Sequence, residues 1–272
     1  MAVIITPQGH ALGWRPDLPD HRDFAYAAPT DVLKALPSSV DLRSQMPDPY
    51  DQEAVGSCTA NAINACIQFN RRLLNAPDDF IPSRLFVYWN ERDMEHTVPM
   101  DAGAELRDGV KSVAKLGVCR EDLWPYIATP ADPATYLFPP GSPPVTKPSP
   151  SCYVEAKLHT AISYLRVQQS LSQLRGCLAQ GFPFVFGFSV YTSMYDVYGK
   201  PVTELPLPSS QDDLLGGHAV CAVGYDDEDQ TFTIRNSWGT NVQDQGHFYM
   251  SYSFITDHQL ASDFWTIRRV SG

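Results

Sequence analysis

The chain has 272 residues, 43% of them hydrophobic, enough for the core of one large domain or a two-lobed enzyme. A net charge of −11 and a pI near 4.9 argue against nucleic acid or an anionic membrane as the main partner. No apolar run reaches the ~18 residues of a membrane span, and the start, Met1 to Gly9, lacks the basic and long apolar stretches of a secretory signal. Residence in the cytoplasm, or export by a route needing no such signal, is therefore expected.

Residues 1–37 read as an extended arm. Prolines and paired charges around Trp14-Arg15-Pro16-Asp17 and Asp20-His21-Arg22-Asp23 forbid a helical period. Trp14, Phe24 and Tyr26 are the apolar anchors such an arm would press onto a surface. Two readings stay open: a staple for the fold, or a short plug that crosses a cleft and restrains the protein. His21 has no motif around it and is read as arm packing.

The stretch Gln52-Glu53-Ala54-Val55-Gly56-Ser57-Cys58 follows. A small-residue loop leads into a cysteine, and Ile63, Cys66, Ile67 and Leu74 behind it fall at helical spacing. Cys58 thus stands where a loop becomes a buried helix, and free N–H groups with the positive end of the helix dipole favour its thiolate. Taken alone, a small buried cysteine is the plainer reading. Ser83–Arg92, entered through Pro82, is a second helix. Asp101–Gly117 is a third, with Leu106, Val110, Val113 and Leu116 on one face and Gly117 as its stop. The proline-dense stretch from Pro125 to Pro150 reads as extended chain crossing between two lobes.

From Tyr153 onward the pattern is mostly strand. Ala161–Val167 and Phe182–Val190 flank a short helix from Ser170 to Gln180. After a loop from Asp196 to Asp213 come Gly216-Gly217-His218-Ala219-Val220 and Phe232-Thr233-Ile234-Arg235-Asn236-Ser237-Trp238-Gly239. Paired as a hairpin around the acidic turn Asp226–Asp229, these two runs set His218 beside Asn236. With Cys58 they supply a nucleophile, a base and an orienting group. Gly246–Tyr252 and Phe264–Ile267 complete the strands. Six cysteines show neither Cys-x-x-Cys nor other metal spacing, and no His-Glu-x-x-His is present, so no metal or cofactor is expected. With Cys58 as nucleophile an odd number remains. That weakens a disulfide framework and leaves a single bridge, for instance Cys119–Cys152, open.

Gln-x5-Cys, Gly-His-Ala-Val and Asn-Ser-Trp-Gly together resemble the papain-like cysteine peptidases (clan CA, family C1), most of all short bacterial members. Val40-Asp41-Leu42-Arg43 is similar to the opening of the family's mature domain, and Gly117-Val118, Glu121 and Trp124-Pro125-Tyr126 to a further family stretch. The resemblance covers roughly residues 38–270. Val55 stands where the family has a structural cysteine, Thr59 where it has an aromatic residue, Glu53 where it has a glycine and Val242 where it has a second tryptophan.

The resemblance implies an α+β, two-lobed fold: a helical lobe over about 38–126, a crossing over 125–150 and an antiparallel, barrel-like β lobe over about 151–272, with the cleft between the lobes. It implies a cysteine endopeptidase acting on peptide or protein through a Cys58 thiolate paired with a His218 imidazolium, with Asn236 holding the ring and Trp238 shielding it. Gln52 and the Cys58 N–H would form the oxyanion hole. Asp101, Gly103, Gly187 and Gly217 would bind substrate, Gly103 by its backbone and the glycines 187 and 217 by opening a pocket for bulky apolar side chains. The arm is far shorter than the family's usual helical prosegment; a zymogen and a monomer are expected. An acyl transferase with the same triad, of transglutaminase or peptide ligase type, and a catalytically silent peptide-binding protein are the alternatives.

Overall fold

The computed structural model describes residues 4–74 and 79–271, apart from the side chain of Ile162; residues 1–3 of the arm lie outside the described part. In the arm, strands β1 (Ile4–Ile5) and β2 (Ala11–Leu12) form a small antiparallel hairpin. Strand β3 (Trp14–Arg15) and strand β4 (Ala25–Tyr26) follow, then a one-turn helix α1 (Thr30–Lys34). With Pro7, Pro16 and Pro19 among these pieces, the arm is extended up to α1.

The body opens with strand β5 (Ser39–Asp41) and helix α2 (Cys58–Leu73), which is buried on nearly every face. Helix α3 (Arg84–Met94) is capped by Ser83, whose hydroxyl accepts the Phe86 N–H at 3.2 Å. Strand β6 (Ala104–Glu105) leads into helix α4 (Leu106–Leu116), which stops at Gly117 as the spacing predicts. The third helix is therefore shorter than its sequence pattern: residues 101–105 are extended because the Gly103 and Ala104 backbone is engaged with the arm.

The proline-dense stretch does not span the lobes. It lies along the helices: Phe138 N–H donates to Pro99 O at 3.0 Å, Asp101 N–H to Tyr136 O at 2.8 Å, and the buried Arg92 guanidinium to Pro144 O at 2.5 Å. Proline carbonyls and unpaired loop carbonyls are acceptors that a buried guanidinium can gather, which is why the stretch folds back. The passage to the sheet comes later, after helix α5 (Pro150–Ala156).

The sheet is built from β7 (Ala161–Val167), β8 (Phe184–Tyr191), β9 (Glu204–Leu205), β10 (Leu214–Asp226), β11 (Thr231–Arg235), β12 (His247–Ser251) and β13 (Ala261–Val270), in the order β4-β7-β13-β8-β10-β11-β12-β9 with β5 also on β10. Helix α6 (Leu171–Ala179) and the short α7 (Tyr252–Thr256) connect strands. The described strands form an open sheet, antiparallel through its middle and parallel at both ends, where β4 joins β7 and β9 joins β12. It is thus barrel-like only loosely. A ladder of Phe184, Phe186, Phe188, Phe232 and Phe264 fills its inner face. Helix α2 lies across it: Asn70 donates to Ile267 O at 3.0 Å, and the Cys66 and Cys221 sulfurs sit 3.4 Å apart.

Candidate active site

The β10–β11 hairpin pairs Cys221 with Arg235 and Ala222 with Ile234, so His218 and Asn236 emerge at the same end. The side chains meet there: His218 Nε2 and Asn236 Oδ1 are 2.8 Å apart. An amide oxygen only accepts, so the imidazole carries its proton on Nε2 and presents Nδ1 as the lone-pair nitrogen. Nδ1 makes no hydrogen bond. Trp238 stacks on the ring, centroids 4.9 Å apart, and covers the His–Asn contact. Asn236 is itself fixed, its Nδ2 donating to Gln243 Oε1 at 2.9 Å and its Oδ1 accepting the Ser237 N–H at 2.8 Å.

Cys58 opens helix α2 and is fully buried. The backbone N–H groups of Ala219, the residue after His218, and of Gly13 from the arm act on its thiol by lowering its pKa. Burial pushes the Cys58 thiol up to about 12, beyond what those N–H groups recover. Burial likewise pulls His218 down to about 4, against the raising effect of Asn236, with His10 of the arm adding a smaller lowering push. Both groups are therefore neutral in this covered site, and the expected thiolate–imidazolium pair is not its favoured state.

Gln52 is held on three sides. Its Oε1 accepts the Ser237 hydroxyl at 2.6 Å, its N–H donates to Ser237 O at 2.9 Å, and its Nε2 donates to Ala11 O at 2.8 Å and Val55 O at 3.1 Å. The Tyr126 hydroxyl donates to Gln52 O at 2.7 Å, and its ring stacks under Arg84, which is paired with Glu121. The Glu121…Tyr126 stretch thus braces the loop ahead of Cys58.

Of the expected substrate-binding residues, Gly103, Gly187 and Gly217 all face the arm. Gly103 has φ +65°, and a Cβ there would overlap Gly13 O; Ala104 N–H donates to that same oxygen at 2.8 Å. A Cβ on Gly187 would fall 1.8 Å from the Trp14 ring, and one on Gly217 2.4 Å from Trp14 O. Trp14 thus packs against both glycines. Asp101 is a correction: its carboxylate is buried, accepts the Gly56 N–H at 3.0 Å and the Tyr88 hydroxyl, and so braces the loop instead of facing the cleft. All six cysteines are free and buried, Cys119 and Cys152 included.

Sequence reasoning left out several members of this site. Ser237 stood inside a quoted motif with no role given to it. Gln243 carries no motif. Thr59 donates its hydroxyl at 2.9 Å to the fully buried Glu91, a contact no spacing announces. His10 stacks on Trp238 at 5.2 Å with Nε2 3.4 Å from Asp51.

The model of the papain family cysteine proteases matches residues 101–264, downstream of Gln52 and Cys58. An uncharacterized peptidase C1-like protein of Acanthamoeba polyphaga mimivirus is 33% identical over 96% of this chain and 87% of its own. Xylellain, a cysteine protease from Xylella fastidiosa, is 50% identical with a TM-score of 0.91, 97% of each chain being covered. The proCathepsin B S9 structure from Trypanosoma congolense, 15% identical with a TM-score of 0.70 over 94% of this chain and 87% of that one, shares the fold. The family match spans more than half of the chain, and the mimivirus relative is similar along almost all of it. The chain belongs to the papain family of cysteine proteases.

Proposed function

We propose that this cysteine peptidase cuts peptide bonds with a Cys58–His218–Asn236 triad and is restrained by its own N-terminal arm. The path of the arm carries the second half of this reading. The Ala11 carbonyl stands in for a substrate carbonyl oxygen at the Gln52 amide, Gly13 lies on Cys58, and Trp14 fills the Gly187–Gly217 pocket. The Gly13 N–H acts on the Cys58 thiol while the Gly13 carbonyl oxygen is taken by the Ala104 N–H at 2.8 Å, which supports an arm held across the groove.

When the arm leaves, water enters and both pKa displacements shrink. The Cys58 proton passes to His218 Nδ1, and the helix dipole and nearby N–H groups hold the thiolate. The thiolate attacks the peptide carbonyl carbon. Gln52 Nε2–H and the Cys58 N–H take the oxyanion. His218 Nδ1–H protonates the leaving amine as the C–N bond breaks and a thioester remains. His218 then takes a proton from water, the hydroxide adds to the thioester, and the acid leaves as the C–S bond breaks. Asn236 keeps the ring in plane throughout, and Trp238 keeps water off their hydrogen bond.

Gly13→Ala tests the reading. A Cβ at Gly13 would meet Gly56 O at 2.1 Å, so the arm is unable to seat. An overpacking cost of ~1–3 kcal/mol predicts about tenfold or more faster hydrolysis of a fluorogenic dipeptide with an apolar second residue, in dithiothreitol. Equal rates in both chains would make the arm a staple. Absence of hydrolysis in both, with Cys58 still alkylated, would favour acyl transfer, which an added amine would reveal.

A further inference from the structure

Extended chain places neighbouring side chains on opposite faces. In the arm, Trp14 turns toward the sheet and fills the glycine pocket, and Arg15 turns the other way onto the helices, where its guanidinium meets the Glu95 carboxylate. Glu95 caps the C-terminal end of α3, and its side chain is only 6% exposed. Its other oxygen accepts the Glu105 N–H at 2.8 Å. Among the described residues no cation of the body forms an ion pair with it: the nearby Arg92 is spent on backbone carbonyls, and Glu105 and Asp108 add negative charge.

A carboxylate this deeply placed is costly without a partner. Its partner here belongs to the arm, and it leaves whenever the arm does. The groove then holds an apolar pocket at Gly187 and Gly217 and, one residue further from Cys58, an acidic recess at Glu95. This order along the groove is the same for a chain running in either direction.

Resting on the reading that the arm occupies the substrate groove, we propose that Glu95 is a specificity-determining residue. It selects substrates with a basic side chain, arginine above all, next to the apolar residue that fills the glycine pocket, on the side away from the scissile bond. Arg15 is the internal stand-in for that side chain. Burial pushes Glu95 up to about 7 and Arg15 acts against that rise, so a cation beside it favours the charged carboxylate. A guanidinium suits it better than an ammonium, because it stays protonated and is more weakly hydrated, whereas a buried lysine loses its proton readily.

The test uses the full chain and two N-acetyl chloromethyl ketones, Arg-Trp-Gly and Gln-Trp-Gly, which carry the arm's side chains in reverse order. Each alkylates Cys58 as chloride leaves, so no peptide hydrolysis is needed. Second-order alkylation rates are measured for the wild type, Arg15→Gln and Glu95→Gln. A buried charge-assisted pair of about 1.5–3 kcal/mol predicts the arginine compound faster by about ten- to a hundredfold in the wild type and Arg15→Gln, with the ratio falling toward one in Glu95→Gln. Arg15→Gln keeps Glu95 and gives the ratio even if Glu95→Gln folds poorly. Ratios near one in both Glu95-containing chains would overturn the proposal, and so would a ratio that survives in Glu95→Gln. A selective alkylation with no cleavage of the matching amide would leave it standing and overturn the peptidase mechanism alone. Failure of Cys58 to react in any chain would overturn it too, since no ligand would then reach Glu95.

Discussion

Trp14→Ala is the sharpest perturbation of the covered site. The indole is 8% exposed, lies against Gly187 and Gly217, and leaves only its Nε1–H without a partner. A tryptophan buries roughly 150–250 Å². At about 25 cal/mol per Å² that corresponds to roughly 4–6 kcal/mol favouring the docked arm. Truncation would leave a space bounded by two glycines that have no side chain to move into it, so little is recovered by collapse. Allowing for residual contacts of the alanine, about 3–4 kcal/mol is lost. At 1.4 kcal/mol per decade, the equilibrium for arm opening then rises by several hundredfold. The assay is the rate of Cys58 alkylation by a small epoxide, followed by kcat/KM on a fluorogenic peptide. Both rise together until the arm is open most of the time, where the gain saturates. A change below about threefold in both, in a chain whose urea midpoint shows normal folding, would refute the reasoning: Trp14 would then not be what holds the arm in the groove.

Other expectations follow from the same geometry. Gln52→Ala removes the side-chain donor that now grips Ala11 O, and kcat should fall by about 10²–10³ with KM little changed. Asp101→Ala strips the Gly56 N–H and Tyr88 hydroxyl of their buried acceptor; equilibrium unfolding in urea should show a loss of roughly 2–4 kcal/mol. Burial raises Glu95 from 4.5 to about 7 and Asp263 from 3.8 to about 6, more than Arg15 and Arg166 lower them. The folded chain holds these protons more tightly than the unfolded one. Their contribution to stability is therefore complete below about pH 4 and lost as the pH rises through 6 to 7, by up to ~3 kcal/mol for Glu95. Because His218, lowered by burial to about 4, gains stability with pH over the same window, the Glu95 share is read as the difference between the wild type and Glu95→Gln: urea midpoints measured from pH 4 to 7.5 should move to the disadvantage of the wild type as the pH rises.

The parts of the site that were legible in the sequence share one property: their geometry is local. A strand of alternating type, an acidic turn and a second strand fix a hairpin register, and that register alone sets His218 beside Asn236. The helix spacing after Cys58 likewise placed it at a helix start. What stayed hidden depended on long-range placement. Trp14 was visible as an anchor, but its socket is assembled from residues more than 170 positions away. Asp101 sat in a turn whose family likeness suggested the cleft, and only the positions of Gly56 and Tyr88 show that its carboxylate points inward. The proline-dense stretch looked like a crossing because composition reports stiffness and not direction; its Pro144 carbonyl instead accepts from Arg92, and Tyr136 and Phe138 pair with Asp101 and Pro99.

The Ser237 hydroxyl bond to Gln52 has a wider consequence. A primary amide is nearly symmetric in shape, and a half-turn exchanges its oxygen for its nitrogen with little change in packing. By donating to Oε1, Ser237 breaks that symmetry and turns the N–H end toward the groove. Ser237 belongs to the sheet's edge of the groove, and Gln52 to the loop that precedes α2. Their backbones are also laced together, Gln52 N–H to Ser237 O and Gly239 N–H to Tyr50 O, both at 2.9 Å. The electrical polarity of the groove wall on one side is thus written by a hydroxyl on the other. A shear between the two halves would leave every group in place within its own half and still reverse the sign of what Gln52 presents.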